Sequence, residues 1–135
     1  MSSDTTTTTA YGITRTVSMS YDGAVARLRD LLKEEGFGEL TEIDVKRTLK
    51  EKIGKDIDPY VILGACNPKL ASRALEIEPD IGLLLPCNVI VSQRGDGTHV
   101  GAVNPQSMVA FTSTAALAEV AKEADERLRR VIERL

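Results

Sequence analysis

Apolar residues recur along this chain with two periods, one of two residues and one near three and a half. Tyr11 to Ser20 alternates around Ile13, Val17 and Met19 and predicts a first strand. Val25, Leu28 and Leu32, with Ala24 and Leu31 beside them, form a helical stripe up to Glu35. Ser20 or Asp22 supplies its cap, and Gly36 stops it. Phe37 to Ile43 reads as a second strand. Asp44 or Thr41 caps a helix over Val45 to Ile53, which Gly54 ends.

Pro59 opens a third strand, Tyr60 to Ala65, whose Val61-Ile62-Leu63 run predicts burial on both faces. Asn67 followed by Pro68 is a helix start, an N-cap and a proline at the first helical position. The helix runs to about Ile77 with Leu70, Ala71, Ala74 and Leu75 turned inward, and Pro79 breaks it. The apolar run Leu83 to Val91 predicts a fourth strand. The turn Arg94-Gly95-Asp96-Gly97 then returns the chain as a fifth, Thr98 to Val103, in an antiparallel hairpin. Asn104-Pro105 repeats the helix-start signature for one or two turns near Met108 and Phe111. Ser113 caps a last helix with the stripe Leu117, Val120/Ala121, Ala124, Leu128, Val131/Ile132 and Leu135.

The expected order is β-α-β-α-β-α-β-β-α. It implies an α+β fold of two layers: an about five-stranded, mainly antiparallel sheet with helices mostly on one face. Residues 1–10 are rich in Ser and Thr and are expected to be a disordered tail. Residues 11–135 are expected to form a single domain.

Composition narrows the function classes. Hydrophobic residues make up 42% of the 135 positions and charged ones 27%, so the chain has enough material for a core without staples. Aromatics reach only 4%, with no Trp, which leaves few platforms for stacking bases. A formal net charge of −3 supplies no field to draw in nucleic acid or an anionic membrane, so neither is an expected partner. No apolar run approaches the roughly 20 residues that span a bilayer. The N-terminus lacks a basic region followed by an apolar one, so a cytoplasmic location is expected. The two cysteines are then expected as free thiols, a transient redox pair or metal ligands. The basic stretch Lys46, Arg47, Lys50, Lys52 and Lys55 reads as a solvated helix face.

The chemistry-bearing feature is a pair of segments, Gly64-Ala65-Cys66-Asn67-Pro68 and Pro86-Cys87-Asn88, each with Cys-Asn beside Pro. Cys66 falls where a strand hands over to a helix. The positive end of the helix dipole favours thiolate there, and free N–H groups at such a terminus attract anions. Cys87 is expected inside its strand, sharing the core face with Leu83, Leu85, Val89 and Val91. Pro86 donates no ladder hydrogen bond, which predicts a bulge or an edge, and Asn88 points to the opposite face. Cys66, Asn67, Cys87 and Asn88 are therefore the candidate ligand-binding residues. Each also has a structural role to weigh against that one: packing for the cysteines, capping for Asn67, a bulge for Asn88.

Neither cysteine belongs to a Cys-x-x-Cys pair and the only histidine is His99, so no structural zinc site is expected. No cofactor fingerprint, phosphate loop or serine elbow appears, and no cofactor is expected. His99 follows a turn and is expected at the surface. The carboxylates Asp56, Asp58, Glu76, Glu78 and Asp80 read as solvated groups near helix ends.

Three separated blocks carry a family resemblance. They are Asp58-Pro-Tyr-Val-Ile-Leu-Gly-Ala-Cys-Asn-Pro, then Ala74-Leu75, then Gly82-Leu-Leu-Leu-Pro-Cys-Asn-Val. With Gly36-Phe-Gly, Thr41-Glu-Ile-Asp and Leu49-Lys-Glu-Lys upstream, they make residues 11–135 resemble the domain-of-unknown-function family 302. That resemblance implies a compact α+β fold that forms homodimers, and it implies no reaction. Three functions remain in play. The first is a homodimeric small-ligand-binding module, its ligand anionic or apolar, seated near Cys66-Asn67-Pro68. The second is a thiol-based redox, soft-metal or haem-binding protein using Cys66 and Cys87. The third is a hydrolase with Cys66 as nucleophile, which needs a base within hydrogen-bond reach.

Overall fold

Short polar caps and left-handed glycines set most element boundaries in the computed structural model, which describes residues 5–135. Ser20 accepts a hydrogen bond from the Gly23 N–H and starts α1, Tyr21–Glu34. Gly36, at φ 85°, turns the chain out of that helix into a conformation that costs glycine nothing. Asp44 accepts from the Arg47 N–H and starts α2, Val45–Ile53, which ends at Gly54 with φ 68°. Asn67 accepts from the Leu70 N–H and starts α3, Pro68–Ile77. The chain closes with α4, Gln106–Thr112, and α5, Ala118–Glu133.

Among the described residues, six strands form one antiparallel sheet: β1 (Thr7–Thr8), β2 (Gly12–Val17), β3 (Gly38–Asp44), β4 (Tyr60–Cys66), β5 (Cys87–Arg94) and β6 (Gly97–Val103). Their spatial order is β1-β2-β6-β5-β4-β3. Alternation sends Ile13, Val17, Val61, Leu63, Ala65, Cys87, Val89, Val91, Val100 and Ala102 to one face. There they meet Leu28, Leu31 and Leu32 of α1 and Val120, Ala124, Leu128, Val131 and Ile132 of α5 in one aliphatic core. Each fully buried Leu or Ile contributes roughly 1.5–3 kcal/mol. Arg15, on the same face of β2, donates to the carbonyls of Ile132, Glu133 and Leu135 at 3.1, 2.9 and 2.9 Å. It thereby ties the last turn of α5 to the sheet.

Several expectations change, among them the inward turn of Leu75, which is 42% exposed, and the burial of β4 on both faces, since Ile62 is only half-buried. The sheet has six strands rather than about five, because Thr7 and Thr8 pair with Thr14 and Ile13 of β2 inside the stretch expected as a tail. Residues 1–4 of that stretch lie outside the described residues. The run Leu83 to Val91 is not one strand. Pro79–Leu84 forms a 3-10 helix, the Leu85–Pro86 peptide is cis, and β5 starts at Cys87. Leu83 is 87% exposed and does not share a core face with Cys87. Pro86 precedes the ladder, so the missing N–H needs neither bulge nor edge, and β5 lies between β6 and β4. Ser113, at φ 57°, ends α4 instead of capping α5, which follows a 3-10 turn at Ala115–Leu117.

Candidate functional site

At the carboxyl end of β4 the backbone passes from Cys66 through the Asn67 cap into α3. Both ends of the Asn67 side chain are engaged there. Its Oδ1 accepts from the Leu70 N–H at 3.2 Å, and its Nδ2 donates to the Glu35 carbonyl at 3.4 Å. Pro68 has no N–H, so the start of α3 offers little to an anion. Glu35 itself is buried at the end of α1, and the Arg127 Nη1 donates to its carbonyl at 3.0 Å. Arg130 grips its carboxylate with Nε to Oε2 at 3.0 Å and Nη2 to Oε1 at 2.8 Å. The Arg130 hydrogen bond holds the Glu35 carboxyl below its ordinary range, against the opposing pull of burial. One network therefore fixes α1, α3 and α5 around the junction.

Inside that junction lies a cavity of about 30 Å³, walled by Phe37, Ala65, Cys66, Leu70, Ala74, Leu85, Pro86, Cys87, Met108, Val120 and Ala124. Its lining is almost wholly aliphatic and sulfur-bearing, and its volume suits one or two water-sized groups, about 15 Å³ each. Ala65 pairs with Cys87 on the core face, and Cys66, the next residue of β4, alternates to the opposite face of the sheet. Both residues border the cavity, Cys87 from the core face and Cys66 at the end of its strand. Both thiols are free, with Cys66 half-buried and Cys87 buried. Burial, with the nearby Cys66 adding to it, pushes the Cys87 thiol up to about 11. Cys87 is therefore a protonated thiol near neutral pH.

The approach of β3 is shaped by Gly64. A Cβ on Gly64 would collide with the Thr41 Oγ1 and would lie 2.8 Å from the Pro86 Cγ. Only glycine lets these two side chains close over β4 beside the cavity.

Of the sequence candidates, Cys66, Asn67 and Cys87 come together, and Asn88 does not. Asn88 is exposed on the opposite face of β5, where a groove of about 270 Å³ runs among Tyr11, Thr14, Tyr60, Asn88, Ile90 and Gly101. His99 is half-buried rather than at the surface, and its Nδ1 lies 3.1 Å from the Thr16 Oγ1. Burial first, then Arg94, lowers its proton affinity. It sits opposite Ser92, five residues along β5 from Cys87, or about 17 Å at strand rise. Among the described residues, no histidine or carboxylate lines the cavity to serve Cys66 as a base there. Among the described residues, no group of three His, Cys, Asp or Glu side chains is placed to hold a metal ion. The basic residues of α2 are partly occupied locally: Lys46 donates to the Ile57 carbonyl, and Lys50 pairs with Asp56.

Sequence reasoning missed Glu35, Arg127, Arg130 and the role of Met108. The Arg127/Arg130 spacing, which puts two cations on one side of a helix, was the available signal.

The family model of the domain of unknown function DUF302 matches residues 13–135. This chain belongs to the DUF302 family. The match takes in all of β2 to α5 except the first residue of β2, and with it the whole wall of the cavity. The chain is also similar to a solved structure, an uncharacterized conserved DUF302 protein from Bacillus stearothermophilus. The two share 35% identity at a TM-score of 0.86, over 91% of this chain and 96% of that one. No curated protein matches. No helix among the described residues of this DUF302 protein is long and apolar enough to cross a membrane.

Proposed function

We propose that this DUF302 protein is a non-enzymatic binding module for a small ligand, seated in the cavity where β4 gives way to α3. The observation that carries the reading is that both cysteines of the chain line that one cavity while no acid or base does. A catalytic site needs a group to move protons, and a binding site does not. The Leu70 N–H spent on the Asn67 side chain, the N–H that Pro68 lacks and the aliphatic wall favour an apolar or soft ligand over an anion. Its size is limited to a few atoms unless α3 and α5 part.

The module is a homodimer joined through the uncovered sheet face. Thr14, Thr16, Tyr60, Asn88, Ile90, His99 and Val103 project there, half-buried or exposed. In β2, β4, β5 and β6 only Arg94, at the hairpin tip, carries a formal charge on that side, although 27% of the chain is charged. A solvated antiparallel face ordinarily alternates to charge, whereas the core of an interface is depleted of it. A two-fold contact lays one patch on its own copy, and a nearly neutral patch meets no repulsion in doing so.

Native mass spectrometry of freshly purified protein tests the binding reading. A retained small mass, displaced in the Ala74→Val variant that fills the cavity, is the expected result. Bare protein from repeated preparations, with no thermal stabilisation across a metabolite panel, refutes it. Light scattering tests the dimer: the wild type is expected at twice the chain mass and Ile90→Arg at the chain mass. A monomeric wild type at micromolar concentration sinks that part.

A further inference from the structure

The chain has one histidine, and the fold sets it on the uncovered face of the sheet. His99 stands on β6, between Thr16 of β2 on one side and Ser92 of β5 on the other. Its neighbours Thr98 and Val100 are buried in the core, so alternation aims the imidazole away from α1 and α5. The ring is already half-buried, with Nδ1 3.1 Å from the Thr16 Oγ1. Ser92 is buried, and its hydroxyl accepts from the Arg94 Nε. Tyr60 of β4 stands beyond Ser92 in the same row. Of the charged groups around the ring, Arg94 is the one that acts on it, and like burial it disfavours a proton there. Among the described strand residues on that side of the sheet there is no carboxylate. Asp58 before β4 and Asp96 at the hairpin tip lie exposed outside the strands.

Resting on the homodimer reading, we propose that this single histidine makes the dimer pH-sensitive: two chains associate with His99 neutral and part when it takes up a proton. Symmetry supplies the reason. A two-fold contact lays the sheet face on its own copy, so the partner brings the same residues and no acidic one. An imidazolium held between the copies would lose its water, meet no counter-ion and lie near Arg94 of its own chain. In a separated chain the same ring keeps one side in water, where the charge costs less. The monomer therefore binds the proton more readily than the dimer does, and acid favours the monomer. Each dimer contains two such rings, so the loss of affinity is counted twice. Because burial and Arg94 already lower the proton affinity of the ring, the change falls below the ordinary histidine value of 6.5.

Analytical ultracentrifugation of the full chain at about pH 7.5 and about pH 5 tests this, at one ionic strength and with circular dichroism confirming the fold. The expected result is a dissociation constant roughly tenfold or more higher at the lower pH. In His99→Gln the ratio of the two constants should fall close to one, whatever the affinity of the variant. A second readout needs no substitution. The lone imidazole gives a single proton NMR signal, and its titration midpoint should move down as rising protein concentration drives dimerisation. Equal dissociation constants for the wild type at both pH values overturn the pH switch and leave the dimer standing. So does a pH dependence retained in His99→Gln, or a midpoint that stays fixed across the concentrations over which the dimer forms. A wild type that is monomeric at micromolar concentration at both pH values removes the homodimer and its switch together.

Discussion

The carboxylate of Glu35, at the end of α1, accepts two hydrogen bonds from the guanidinium of Arg130 on α5, at 3.0 and 2.8 Å across 95 positions of chain. The same glutamate's carbonyl takes hydrogen bonds from Arg127 and Asn67. The ion pair is thus the brace behind the cavity wall rather than a surface ornament.

Its pH signature has a definite sign. Arg130 lowers the folded-state proton affinity of Glu35 below the ordinary value of 4.5, so the folded chain takes up that proton less readily than the unfolded chain. The stabilisation is therefore complete above about pH 4.5 and disappears as pH falls through the lowered folded value. Urea unfolding between about pH 3 and pH 7 should give the wild type a steeper acid loss than Glu35→Gln. At neutral pH the variant should be weaker by roughly 1–3 kcal/mol. Parallel curves for the two proteins would remove the brace.

Gly64→Ala should destabilise by roughly 1–3 kcal/mol, because its methyl group collides with Thr41 and crowds the Pro86 ring. Adding Thr41→Ala should recover part of the loss. A double-mutant cycle in chemical denaturation measures that coupling, and strict additivity would mean the side chains do not meet over β4.

The two thiols should differ in reactivity. With its thiol pushed up to about 11, Cys87 is ionised in roughly one molecule in a thousand at pH 8, and it is shielded besides. Half-buried Cys66 should alkylate first in native protein, with Cys87 following only on unfolding. Peptide mapping after a timed iodoacetamide pulse reads this directly. Simultaneous labelling would show that the core around Cys87 opens freely.

Asn67→Ala should cost about 1 kcal/mol from the lost cap of α3. Thermal unfolding should register that loss, and Asn67→Ser should restore most of it. An unchanged transition in the alanine variant would mean that α3 does not depend on its cap.

Local signals in the sequence were read well and long-range ones poorly, for physical reasons. Asp44 and Asn67 announced α2 and α3 to the residue, because a cap is a contact between positions three apart. The stripe of α5 was legible because the core facing it is continuous. The stretch Leu83 to Val91 misled, since a mainly apolar run does not distinguish a strand from a 3-10 turn with its leucine turned outward. The candidate cavity was half visible. The Cys66 junction follows from strand-then-cap, but Cys87 reaches the cavity through its register with Ala65, and Met108 arrives from another element altogether. Glu35 and Arg130 carry no local mark of each other.

The strand order has a consequence for how the molecule comes into being. β4, β5 and β6 form a meander of near neighbours, but β2 docks on β6 with Thr16 and His99 83 residues apart. On a ribosome the first long strand therefore waits, unpaired and apolar on one side, until β6 has emerged. Arg15 then fastens it to the final turn of α5. Shortening the C-terminus by a few residues would unclasp the amino-terminal strand rather than merely trim a tail.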